Sequence, residues 1–128
     1  MRLADLPRSV LTAETPLRLF GAGGFAVIHP EQITMLQARD KVVEVYTHRG
    51  YAGATTTTSV LRLVDRFPQF DWVLLSRAAA VKRSAILRVD YNRASDGART
   101  HAARVAGVRD PVAISRRHWP VVRKALGG

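Results

Sequence analysis

The 128-residue sequence contains no cysteine. That removes disulfide frameworks and every thiolate metal site from consideration. Its four histidines, His29, His48, His101 and His118, are far apart and form no HExxH or HxH pair. Nothing in their spacing argues for a metal centre, and no cofactor is expected. No run of about 18 apolar residues occurs, which excludes a transmembrane helix. The first twelve residues carry Arg2 and Arg8 among a few leucines. They have neither a continuous apolar core nor a small-residue cleavage site, so they do not read as a signal peptide, and a cytoplasmic location is expected.

Carboxylates are scarce as well. There are ten, seven of them before Trp72, which leaves paired acid/base chemistry no evident home. Ser, His and Asp all occur, but no GxSxG elbow accompanies them. The Gly21-Ala-Gly-Gly24 stretch lacks the Lys-Ser/Thr of a phosphate loop and reads as a hairpin turn. An enzyme is not expected. Aromatic residues number nine (Phe 4, Tyr 3, Trp 2), and no candidate strand carries two in alternation.

What the chain does have is an apolar content of 47%, enough for the core of one domain, and a surplus of positive charge. The 20 basic residues face 10 acidic ones, a formal net of +10, and all but Lys41, Lys82 and Lys124 are Arg. The surplus is not spread evenly. Residues 1–71 hold 8 basic and 7 acidic side chains, whereas residues 72–128 hold 12 and 3. An Arg-rich genome would raise the total without placing it in one half. Guanidinium groups fork onto phosphates and guanine edges, so the imbalance points to nucleic acid over an ordinary solvated surface.

The hydrophobic pattern predicts a strand-rich domain. Residues 1–16, with Pro7 and Pro16, read as an arm, and 17–128 as the domain. Leu17–Phe20 faces Phe25–His29 across the glycines, Ile33–Ala38 faces Val42–Thr47 across Arg39-Asp-Lys41, and Tyr51–Thr57 follows. The period changes at Ser59, where Val60, Leu61, Leu63, Val64 and Phe67 recur at helical spacing behind a capping Thr58 or Ser59, and Pro68 ends the helix. Trp72–Leu75 is a further strand, and Ser76 to Ala85 reads as irregular, small and basic. Ile86–Tyr91, Ala98–Val105 and Val112–Ser115 complete the strands, and His118–Leu126 is a closing helix with Gly127 as its stop. Trp72 and Trp119 lie in apolar segments and read as core. His48 and His118 read as ordinary hydrogen-bonding histidines.

Two segments combine an apolar frame with cations. Trp72 to Ile86 interposes Arg77, Lys82 and Arg83 among small residues. Val112 to Leu126 runs a strand into Ser115-Arg116-Arg117 and then into a helix. An Arg pair at such a junction projects from a rigid base, which suits groove insertion. Arg99 and Arg104, along a strand without a matching motif, are expected to be ordinary DNA-backbone or surface charges.

From about Pro30 to Leu126 the chain resembles a LytTR-type DNA-binding domain. Ile33-Thr-Met-Leu-Gln-Ala38 is similar to that family's first strand, and Thr58 to Pro68 to its internal Ser-Leu…Leu-Pro helix. Trp72 to Ile86 is similar to its Phe-x-Arg-x-His-Arg-Ser-x-x-Val-Asn segment, and Ile114-Ser-Arg-Arg117 to its closing Val-Ser-Arg-Arg. The family's His-Arg-Ser is Ser76-Arg77-Ala78 here, and its Asn is Lys82. The resemblance implies a mostly β fold, an elongated antiparallel sheet with one internal and one C-terminal short helix. It further implies a transcriptional regulator that inserts basic loops into the major groove of double-stranded DNA, on direct-repeat sites and as a homodimer there. Arg77, Arg116 and Arg117 carry over by motif, and Arg39 and Lys41 by loop position. With about 30 residues before the resemblance begins, no receiver domain is expected, so the regulator reads as stand-alone. Two other readings stand beside this one: an RNA-binding β module, and a basic protein-interaction or assembly factor.

Overall fold

The computed structural model describes residues 16–127 apart from Ala22, Thr57 and Ala94. The expected arm thus lies outside the described residues, save for Pro16. Strands form where apolar and polar side chains alternate. Leu17–Gly21 (β1) and Gly24–Ile28 (β2) pair with Phe20 opposite Phe25, and Gly23 supplies the positive φ of the turn. Ile33–Arg39 (β3) and Val42–Thr47 (β4) form a second hairpin, and Gly50–Thr55 (β5) folds back on β4. On β4, Val43 and Val45 are buried while Val42, Glu44 and Tyr46 are only half-buried, as a one-sided strand requires.

Val60–Arg66 (α1) begins where the period changes. Ser59 is its N-cap, accepting a hydrogen bond from the Arg62 amide at 3.2 Å and satisfying one open donor of the first turn. Val60, Leu63 and the following Phe67 are buried, while Leu61 and Arg62 face out. Trp72–Ser76 (β6) follows, and here the structure departs from expectation. The stretch read as irregular contains a strand, Ala79–Lys82 (β7), inserted between β3 and β6 and continued by one 3-10 turn over Arg83–Ala85. All four residues of β7 are buried. A strand covered on both faces has no alternation to display, and two alanines add little β signal.

Ile86–Arg93 (β8), Arg99–Val105 (β9) and Val112–Ile114 (β10) make a three-stranded antiparallel sheet in the order β10-β9-β8, and Trp119–Ala125 (α2) closes the chain. The larger sheet runs β2-β1-β5-β4-β3-β7-β6 and is antiparallel throughout. The fold is therefore mostly β, with a large antiparallel sheet and two short helices.

Two apolar layers share β3 and β7. Leu36 and Ala80 pack with Leu19, Val43 and Val45 and with Val60, Leu63 and Phe67 at α1. Met35, Ala79 and Val81 pack instead with Ala103, Val105, Val112 and Ile114 of the smaller sheet and Val122 of α2. The smaller sheet is also tied to the larger at its edge, where the Ser115 amide donates to the Leu75 carbonyl at 2.9 Å. At the turn after β9, Gly107 (φ 79°) passes the end of β4 so closely that a Cβ there would stand 1.7 Å from the Thr47 carbonyl oxygen. Trp72, expected in the core, is only half-buried and packs against it, and its indole N–H donates to the Phe67 carbonyl at 2.9 Å.

Candidate nucleic-acid interface

The antiparallel order β4-β3-β7-β6 decides which turns are neighbours. Gln37 lies opposite Ala79, and beyond that pair the Ala38 amide donates to the Ala78 carbonyl at 2.7 Å. The β3–β4 turn, with Arg39 and Lys41, and the β6–β7 turn, with Arg77, therefore emerge side by side at one end of the sheet. The bond from Ser115 to Leu75 brings a third turn, Ser115–His118, to the same end.

Each turn is held by its own local bonds. Asp40 (φ 51°) and Lys41 (φ 68°) both occupy the left-handed region, the pattern of a two-residue type I′ hairpin turn. Arg39 Nε lies 3.6 Å from the half-buried Glu44 carboxylate. Ser76 Oγ accepts from the Ala78 amide at 3.1 Å, closing the turn beneath Arg77. Ser115 accepts from the His118 amide through Oγ at 3.2 Å and from the Trp119 amide through its carbonyl at 2.9 Å, and His118 Nδ1 lies 2.6 Å from Oγ. His118 is thus the hydrogen-bonding histidine expected of it.

The Ser115–His118 turn parts the Arg116-Arg117 pair. Arg117 and His118 face Ser76, Arg77 and Ala78 across a cleft of about 370 Å³. Arg116 points to the other side, where it meets Arg99, His101 and Trp119 around a cleft of about 300 Å³. Arg77, Arg116 and Arg117 are all exposed. Ser76, His118 and Arg99 are the members the sequence reading did not select. Their proximity depends on pairings across strands, which no local motif announces.

Two expected contacts do not join this end. Lys82, only 8% exposed, sits at the far end of β7 opposite Trp72. Its ammonium donates to the Pro30 carbonyl at 2.7 Å and lies 3.8 Å from the centre of the Phe70 ring. Burial pushes its pKa down to about 8, with Glu31 pulling the other way. Its cation is thus engaged by an interior carbonyl and an aromatic face, and it ties the segment before β3 to β7. Arg83 follows at that same far end, where its amide donates to the Asp71 carbonyl at 2.8 Å and its guanidinium lies 3.8 Å from the Asp71 carboxylate.

Arg104 behaves as expected of a surface charge. It shares Asp90 with Arg88 on the outer face of the smaller sheet. Arg99 is exposed as well, but among the described residues it has no carboxylate partner, and its guanidinium lies over the Tyr91 ring at 5.0 Å. Trp119, half-buried, stacks on His101 with ring centres 3.8 Å apart and planes 14° from parallel. Among the described residues no three His, Asp or Glu side chains gather as metal ligands, and no helix is long and apolar enough to cross a membrane.

No protein-family model and no curated protein matches the sequence. Among solved structures, the chain is similar to the LytTr DNA-binding domain of a methyl-accepting/DNA response regulator from Bacillus cereus. The TM-score is 0.65 at 18% identity, over 88% of this chain and 97% of that one. The architecture, strand by strand, is thus the LytTR-type fold.

Proposed function

We propose that this chain is a sequence-specific regulator that binds double-stranded DNA through the basic end of its large sheet. The observation that carries the reading is convergence. Three turns far apart in sequence bring Arg39, Lys41, Arg77, Arg116 and Arg117 to one end. The related fold in Bacillus cereus carries a DNA-binding name, which supports the same partner. A β-turn on a two-stranded ribbon fits the major groove, about 12 Å wide, and Arg reads guanine there through O6 and N7. Arg77 and Arg117, facing each other across one cleft on hydrogen-bonded turns, are the reading pair. Arg39 and Lys41 hold the neighbouring backbone. Two copies would occupy a direct repeat, each presenting the same end at a spacing of whole helical turns. The role is binding rather than catalysis.

The test compares a duplex selected from genomic fragments with a scrambled one at a single salt concentration. Arg117→Ala is expected to lose about 1–3 kcal/mol on the selected duplex, and Arg77→Ala a similar amount, with smaller losses on the scrambled one. Equal losses on both duplexes would strip the pair of its reading role.

Lys41 offers a second test because its conformation and its charge pull in different directions. Asp-Gly is a favoured type I′ pair, and a lysine held at positive φ costs on the order of 1–2 kcal/mol. Glycine recovers that strain but loses about 0.4–1 kcal/mol to its freer unfolded chain. Lys41→Gly is therefore expected to stabilise the fold by about 0.5–1 kcal/mol in urea titrations while weakening duplex binding. A more stable protein with undiminished affinity would remove Lys41 from the interface.

A further inference from the structure

We propose that Arg116 and Arg99 form a second anion site, a clamp for one phosphate of the DNA backbone, distinct from the Arg77–Arg117 cleft. The proposal rests on the duplex-binding reading and adds the smaller sheet to the contact surface. Arg99 opens β9 and Arg116 follows β10, and the pairing of Ile114 with His101 sets these two strand ends side by side. Their guanidinium groups border one cleft of about 300 Å³, with Thr100, His101 and Trp119 among its walls and no carboxylate in its lining.

The chemistry of the cleft selects its ligand. Guanidinium groups donate and never accept, so two of them favour an anion made of acceptors, and a phosphate supplies both the charge and more acceptor sites than any base edge. Neither Arg99 nor Arg116 is paired with a carboxylate among the described residues, whereas Arg88 and Arg104 on the opposite face of the same sheet are neutralised by Asp90. Arg99 is steadied by the Tyr91 ring beneath its flat face, which leaves the N–H groups around its rim free for a ligand. The His101–Trp119 stack stiffens the floor. The site adjoins the reading end because Arg116 belongs to the same hydrogen-bonded turn as Arg117.

The experiment measures duplex affinity against salt for the full chain and for Arg99→Ala, Arg116→Ala, the double variant and, as a control, Arg88→Ala. Each single clamp variant should weaken selected and scrambled duplexes alike, roughly three- to tenfold at 0.1 M salt, and reduce the slope of log K against log salt by about 1. The double variant should lose less than the product of the two single losses, because one phosphate serves both side chains. Arg88→Ala should leave the slope unchanged. An unchanged slope in Arg99→Ala, with wild-type duplex binding intact, overturns the clamp alone, as does a loss confined to the selected duplex. Wild-type protein that binds no duplex overturns the parent reading together with the clamp. Inorganic phosphate distinguishes the source of the anion. Millimolar phosphate that shifts the Trp119 indole resonance and protects it from duplex-induced change would assign the cleft to a free anion instead.

Discussion

Raising the salt from about 50 to 200 mM is expected to weaken duplex binding by about three to five powers of ten. The number follows from the cations gathered at one end. Arg39, Lys41, Arg77, Arg99, Arg116 and Arg117 bring six positive charges against the duplex, the reading pair and the shared clamp included, and Arg93, opposite Arg99 at the tip of the β8–β9 hairpin, is a further exposed one. With six to ten phosphates neutralised, log K should fall with log salt at a slope of about −5 to −9 on duplex. Arg88 and Arg104 should contribute little, since Asp90 already compensates them. Anisotropy of a labelled duplex across the salt range measures the slope directly. A preference for single strands, with their shallower dependence per phosphate, would move the partner to the RNA-binding alternative. Duplex affinity indifferent to salt would favour an acidic protein partner.

Gly107→Ala is expected to cost more than about 4 kcal/mol, enough to unfold a domain of ordinary stability. Two terms add at this position. The φ of 79° disfavours any L side chain, and the added Cβ would stand 1.7 Å from the Thr47 carbonyl oxygen and 2.7 Å from its carbon. Backbone meets backbone here, so no rotamer change relieves the overlap. The turn would have to lift away from β4, opening the contact between the smaller sheet and the larger one. Gly97→Ala serves as the control, because Gly97 also has a positive φ (87°) but nothing within 4 Å of a Cβ. That variant should lose only about 1–2 kcal/mol in thermal or urea unfolding. Equal stability of the two variants would show that the packing at Gly107 is not what holds the sheets together.

Sequence revealed the elements whose environment is one-sided. β4 announced itself because Val43 and Val45 face a core while Glu44 does not, and α1 because Ser59, the helical period and Pro68 mark it locally. β7 stayed hidden because Ala79 to Lys82 are covered on both faces. Lys82 has the appearance of a DNA contact in sequence because it sits in a basic, small-residue segment. Its partner, the Pro30 carbonyl, lies 52 positions earlier, and only the placement of β7 beside β3 brings the two together. The same limit applies to the arginines. Motif and spacing single out Arg77, Arg116 and Arg117, but the Ser115–His118 turn decides that the last two face opposite ways. Arg99 joins Arg116 through the β9–β10 register, which no local pattern encodes.

The sharing of β3 and β7 between the two apolar layers also governs how the molecule opens. A protein with two cores often melts in two steps, the weaker core first. Here Leu36 and Ala80 belong to one layer while their chain neighbours Met35, Ala79 and Val81 belong to the other, so neither layer can loosen without disturbing a strand of its counterpart. The domain should open as one cooperative unit, with the slowest amide hydrogen exchange along the paired Met35–Gln37 and Ala79–Val81. That pairing also joins residues more than forty positions apart, so a large loop must close before β7 takes its place in the sheet. A cooperative domain of this kind keeps its basic turns fixed in relation to one another for as long as it is folded at all.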